Sequence, residues 1–407
     1  MQTTLESPRL RRWVIVASLT SCVGTSLSVI FIIGILLPEI SKEMGLSPLA
    51  QGLLGSSVLI ANFIFCIPAN LVTSRFRPWR TVALLFLGVG GSALLQSWSP
   101  VLAALFIGRV GAGLFFTSTQ SPRALLIQQW IPRHRISFTN GLAFAGIDLI
   151  MGVAFLVTPQ FQDLAGGWRE TFFIWSMISL GLTIVWMIVG GERVTEEYVA
   201  RARSETSSPL NALRNYKQLW IMGLGMGSSM AAQAGFQNFW PTLAEDQLDL
   251  TRSFIGLALG ATTFAAAPTD FLVNAIPTLI RRRSLVLSVC SIISVVSLTG
   301  MVYATSEPMA LFLAVLKGLS FAFFPVLMIM VFLIPGIKPR EIGIGMSFME
   351  TCIWGGSAVG PILVGGLQQA TGNLQTALFI NGLFPSILLV SAALLYMRDR
   401  SPHPRLA

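Results

Sequence analysis

Six ionisable side chains, Arg109, Arg123, Asp148, Asp270, Lys317 and Glu350, stand inside stretches that are otherwise apolar. In hydrocarbon each would cost at least ~2.5–3.5 kcal/mol, so such a group is kept for a partner, water or a ligand. Asp148 and Glu350 are the leading candidates for carrying protons. A carboxyl in a low-dielectric site holds its proton until a nearby cation favours ionisation. Arrival of a solute, or a swing of the chain, could therefore link proton uptake to movement. Asp270 lies nearer the end of its stretch and reads as a gate, a loop anchor or a third proton site. A fixed internal ion pair is the competing reading for these acids.

The basic groups suggest anion chemistry. Arginine offers a planar fork that fits a carboxylate, and lysine offers a point charge. Arg109 and Lys317 end the similar segments Leu105–Arg109 and Leu311–Lys317, each near the start of its apolar stretch, which suggests equivalent positions in two halves. Arg123 lies ~21 Å beyond Arg109 at ~1.5 Å per residue; it could instead reach the membrane edge as long side chains do. Around these charges run stripes at alternating spacings of three and four, which share a helix face. One joins Arg109, Gly113, Phe116, Gln120 and Arg123; another joins Met226, Met230, Gln233, Gln237 and Trp240. A third has Lys317, Phe321, Phe324 and Met328, and a fourth Ser18, Ser21, Thr25 and Ser28. Polar-aromatic stripes among apolar residues suit a wet cavity with a few directing groups. Small-residue stripes equally let membrane helices pack closely, so both readings stand for the serine stripe.

The elements that must position these residues are membrane helices. Of 407 residues 53% are hydrophobic and 11% charged, against ~25% charged in ordinary soluble domains; the mean hydropathy is +0.71. Apolar stretches of the ~20 residues needed to cross a bilayer fill most of the chain. Spans are expected at 13–38, 49–73, 79–98, 101–128, 137–160, 168–190, 217–243, 252–278, 284–304, 308–335, 342–368 and 374–397. Proline, glycine and charge clusters separate them. The basic start followed by a long apolar run reads as a retained first helix rather than a cleaved signal.

The net charge of +9 does not suggest nucleic acid, because the basic residues form short clusters between spans. Of the 27 Lys and Arg, 21 fall in the tails and loops on the side of the termini. Lys42, Arg169 and Arg252 fall on the other side, and three lie inside spans. That imbalance places both termini in the cytoplasm and supports the span count. Cys22, Cys66, Cys290 and Cys352 lie within apolar segments, without disulfide or zinc spacing. His134 and His403 fall in a loop and the tail. No phosphate loop, zinc-protease or serine-hydrolase motif occurs, so neither ATP-driven pumping nor hydrolysis is supported. No cofactor or metal is expected.

A polar segment at 192–215 divides six spans from six, giving bundles at 1–191 and 216–407. Gly167-Trp168-Arg169-Glu170-Thr171 sits like Gly372-Asn373-Leu374-Gln375-Thr376, and Asn70 like Asn274, each about 205 residues on. Such an offset suggests duplication, with a site between the halves near mid-membrane.

Together these features resemble the major facilitator superfamily over the whole chain. Its loop signature Gly-x-x-x-Asp-Arg-x-Gly-Arg-Arg corresponds to Asn70 through Arg80, with Arg75 retained, Asn70 for the first glycine and Ser74 for the acid. Arg109-Val-Gly111-Ala-Gly113 resembles the fourth-span signature; the fifth-span antiporter signature is not met. The resemblance implies twelve transmembrane helices as two pseudo-symmetric six-helix bundles, with spans one, four, seven and ten around a central cavity. It also implies a monomeric secondary transporter in a plasma or inner membrane, working by alternating access. The preferred cargo is a small organic anion drawn by Arg109, Lys317 and Arg123, with proton coupling. Efflux of an amphipathic drug or cation, and a non-transporting sensor or scaffold, are the alternatives.

Overall fold

The computed structural model describes residues 8–73, 75–131, 135–191, 214, 216–275, 282–334, 337 and 339–400. The expected linker 192–215, apart from Arg214, lies outside the described residues, as do Ser74, His134, His403 and the side chain of Asn274. All regular structure among the described residues is helical.

The first span is Pro8–Phe31 continued by Ile33–Met44, and the second is Pro48–Thr73. Then come Pro78–Ser97, the broken fourth span Leu102–Ser118 and Gln120–Trp130, Ile136–Ala165 and Trp168–Val189. The second set opens with Lys217–Asp246, Arg252–Ala275 and Arg283–Met301. The tenth span is Glu307–Leu319, the tight turn Ser320–Ala322 and Phe323–Met330; the eleventh is Pro339–Thr371, and the twelfth Leu374–Gly382 with Ser386–Arg400. Several helices outrun the expected spans, because a helix continues past the hydrocarbon wherever capping permits. Proline at the first turn of Pro78–Ser97 needs no missing donor. Gly45 and Gly166 end their helices at φ 61° and 99°, in the left-handed region that glycine enters freely.

Among the described residues ten spans are long and apolar enough to cross a membrane by length and composition alone. The seventh and eleventh complete the twelve: they have 30 and 33 residues but are richer in polar groups, as helices that face a cavity must be.

Corresponding helices begin at a nearly constant offset. Pro48 pairs with Arg252, Pro78 with Arg283, Leu102 with Glu307 and Trp168 with Leu374, 204 to 206 residues apart. Close packing repeats it too. A Cβ on Gly113 would overlap the Val58 carbonyl, and one on Gly318 would overlap that of Thr262. Gly113 and Gly318 are therefore the equivalent pair. This corrects the expected match of Arg109 with Lys317, since Lys317 falls opposite Ala112.

The halves meet through spans two and eleven, five and eight, and one and seven. Gly52 and Gly365 allow backbone contact in the first seam, and Ser56 Oγ donates to the Ala358 carbonyl across it at 2.7 Å. Gly152, Gly256 and Gly260 do the same between spans five and eight. Gly34 lies against the carbonyl of Gln237. These contacts concentrate toward the side away from the termini, which is therefore sealed. At its rim Lys42 pairs with Asp246 across the halves at 3.3 Å. Arg169 pairs with Glu43 at 2.6 Å, and Gln162 donates to Glu39, fixing the first span's outer helix to its own half. Gly356 and Gly360 let span eleven lie directly on span seven.

Candidate functional site

A cavity of about 190 Å³ lies between the halves, far beyond the ~10–15 Å³ that admits one water. Its lining comes from spans one, four, five, seven, eight, ten and eleven, at depths from mid-span toward the side of the termini. Spans five, eight and eleven thus add walls to the four that the resemblance implied.

The fourth span brings Phe116, Gln120 and Arg123 to this wall, and Arg123 donates to Gln120 Oε1 at 2.5 Å. The helix breaks at Thr119, between Phe116 and Gln120. Asn70, the departure from the loop signature, splices that break. Its Nδ2 donates to the Thr117 carbonyl at 3.0 Å, and its Oδ1 accepts from the Ser121 backbone N–H at 2.7 Å. An asparagine where glycine was expected was the signal, and its role required the break to be seen. Arg75 and Arg80 are exposed and form no ion pair with a described residue; Arg80 lies over the Trp79 ring.

Arg109 does not reach the cavity. It is 1% exposed, with Nε donating to the Leu54 carbonyl at 3.0 Å and one terminal nitrogen to the Ile30 carbonyl at 3.1 Å. The reason is depth: it lies ~10 Å from Phe116 along the helix, in the sealed part. There it ties span four to spans one and two. The serine stripe of span one is also not the cavity face, which Val23, Leu27 and Phe31 supply. Ser28 bonds back to the Gly24 carbonyl.

Span seven contributes Met230, Gln233 and Gln237. Trp240 continues their stripe but is fully buried behind the wall, its Nε1 donating to the Met301 carbonyl at 3.1 Å. It stacks on Phe236 with centroids 5.6 Å apart. The tenth span places Lys317, Phe321, Phe324 and Met328 on the cavity. Phe321 and Phe324 stack at 5.4 Å, and Phe324 meets Phe144 of the other half edge-on at 6.1 Å. Trp354, not singled out in the sequence, meets Phe116 edge-on at 6.0 Å across the halves.

All three candidate acids line the cavity. Asp148 of span five and Asp270 of span eight bring two carboxyls, one from each half, to the same cavity. The ion pairs among the described residues all lie at the outer rim. Glu350 accepts from Trp354 Nε1 at 3.3 Å and faces the charge of Arg123 without closing to an ion pair. No group of three potential metal ligands occurs among the described residues.

Both halves match one family model, over residues 16–237 and 222–407, described as Major Facilitator Superfamily. The chain belongs to the Major Facilitator Superfamily. It is thus a multi-pass membrane protein of a transporter family. It is 24% identical over 321 residues to the purine ribonucleoside efflux pump NepI of Escherichia coli (strain K12), covering 77% of each chain. The Salmonella enteritidis pump of that name is 22% identical over 323 residues, again with 77% of each covered. Its fold resembles a bacterial homolog of the human lysosomal transporter Spinster in the inward-facing, occupied conformation. That likeness has TM-score 0.76 and 16% identity, over 97% of this chain and 98% of that one. The nucleoside transporter NupG aligns with TM-score 0.71 and 14% identity, over 96% and 99%.

Proposed function

We propose that the chain is a proton-coupled secondary transporter that exports a small polar organic solute by alternating access. The supporting observation is the central cavity, walled by both halves and sealed on the side away from the termini. Amides from spans four and seven, cations from spans four and ten and acids from spans five, eight and eleven converge there. Cargo would enter from the side of the termini. Rocking about the glycine seams would break the contacts of Gly34, Gly52 and Gly256 and open the far side. The nucleoside efflux pumps among its relatives favour export and a cargo of nucleoside size.

The proton would ride on the Asp148–Asp270 pair, one carboxyl from each half. Two like charges in one cavity disfavour each other's ionised form, so the pair suits a single exchangeable proton. Span one presents no ionisable group to the cavity. Span ten presents Lys317, and Arg123 and Glu350 lie opposite. The charge asymmetry of the loops supports cytoplasmic termini in a plasma or inner membrane. Bundles at 1–191 and 216–407 joined by 192–215, working as a monomer, complete the proposal.

The test is proton flux in proteoliposomes with purine nucleosides, aromatic carboxylates, amphipathic cations and sugars. Nucleosides or carboxylates should drive proton movement in the wild type, and Asp148→Asn or Asp270→Asn should abolish it. Flux with cations alone would replace this reading with drug efflux. Binding without any flux would favour a sensor.

A further inference from the structure

We propose that Lys317 is the residue that selects the cargo, by donating to an anionic or strongly accepting oxygen on an aromatic ring system. This deepens the transport reading and rests on its placing cargo in the central cavity.

Lys317 is 3% exposed and is one of the residues that line the cavity, and its buried Nζ has no hydrogen-bond partner among the described residues. No carboxylate pairs with it among the described residues. Among the described residues its one marked compensation is the face of Phe236, 5.3 Å from Nζ. That ring is backed by Trp240, which is itself anchored to the Met301 carbonyl. A cation–π contact satisfies charge in part but fills none of the three donors. A buried ammonium without acceptors is costly, so its retention points to a ligand that supplies them.

The local helix geometry aims this group. Gly318 lets span ten press on the Thr262 carbonyl, and Ser320 Oγ donates to the Lys317 carbonyl at 2.6 Å. The tight turn Ser320–Ala322 follows. Lys317, Phe321 and Phe324 keep the shared face that their spacing predicts, and it lines the cavity. The stacked phenylalanines offer an aromatic surface about one turn from the ammonium, and Gln233 and Gln237 offer amides opposite. A planar ring against Phe321 and Phe324, with an oxygen toward Lys317, uses all three features. Two sources share this chemistry: an oxo-heterocycle of the nucleobase kind and an aromatic carboxylate. An amphipathic cation would bring its charge against Lys317 with no acceptor to offer.

Calorimetric binding to the full chain in lipid nanodiscs tests the proposal, with guanosine, benzoate and tetraphenylphosphonium as probes. Guanosine or benzoate should bind, and whichever binds more tightly names the source. Lys317→Met should weaken that binding about tenfold or more, while Lys317→Arg should recover most of it. Amine acylation of the unaltered protein gives a second readout. It has four lysines, and the bound probe should protect Lys317 while leaving Lys42 reactive. Equal binding by wild type and Lys317→Met, absence of protection, or binding of tetraphenylphosphonium alone would each overturn the proposal. Binding needs no flux, so Lys317-dependent binding without transport would refute the transport reading alone. Transport of a cargo indifferent to Lys317 would refute only this inference.

Discussion

Replacing Gly256 with alanine should unseal the far side of the cavity. Gly256 is one turn into span eight, and a Cβ there would stand 2.6 Å from the Phe155 carbonyl oxygen and 2.7 Å from Pro159 Cγ. Ordinary contact begins at 3.4 Å, so the seam must open by about 0.8 Å, and the nearest obstacle is backbone. Overpacking of this kind costs ~1–3 kcal/mol. The gain in helix propensity, ~1 kcal/mol, applies in both conformations and cancels. At ~1.4 kcal/mol per decade, the open population should rise about fivefold to a hundredfold. The assay uses Ser357→Cys, a cavity position, in a chain with its four native cysteines replaced. A membrane-impermeant thiol reagent is applied to the face away from the termini, and the labelling rate is measured. Gly91→Ala is the control, because nothing lies within 4 Å of a Cβ there. Equal rates for Gly256→Ala and Gly91→Ala would refute the idea that this seam holds the sealed conformation.

Asn70→Ala removes the donor and acceptor that splice the break in span four. Three lost bonds, counting that from Nδ2 to the Cys66 carbonyl, at ~1 kcal/mol each should lower stability by about 3 kcal/mol, read as a reduced thermal midpoint in detergent. Trp240→Phe keeps the stack on Phe236 but orphans the Met301 carbonyl; a loss of ~1 kcal/mol is expected, and an unchanged midpoint would contradict it. Asp246→Asn should change the thiol-labelling rate little, since the Lys42–Asp246 side chains are 64% and 44% exposed and such pairs contribute ~1 kcal/mol at most. A large effect at high salt would show that the pair does more than decorate the rim.

The glycine pattern explains why the candidate site was only partly legible in the sequence. Spacings of three and four placed Phe116, Gln120 and Arg123 on one helix face, and the structure keeps them together. The same spacing carried Arg109 and Trp240 along, although one lies too deep in the sealed half and the other behind the wall. Periodicity reports which face a residue shares, not how far along that face the cavity extends. The breaks in spans four and ten were not legible either, since no composition signal marked Thr119 or Ser320.

What the sequence by itself determined was the membrane class, the twelve spans, the internal repeat and the kinds of group available to a cargo. Hydrocarbon imposes length, apolarity and loop charge on each segment separately, so these follow from local residues. Tertiary structure alone decided that Asp148 shares a cavity with Asp270, that Lys317 stays unpaired and that Arg109 is spent on backbone carbonyls. Those outcomes depend on how closely two helices approach across the halves. Glycines such as Gly152, Gly256 and Gly318 set that approach, and their effect exists only once the opposing backbone is in place.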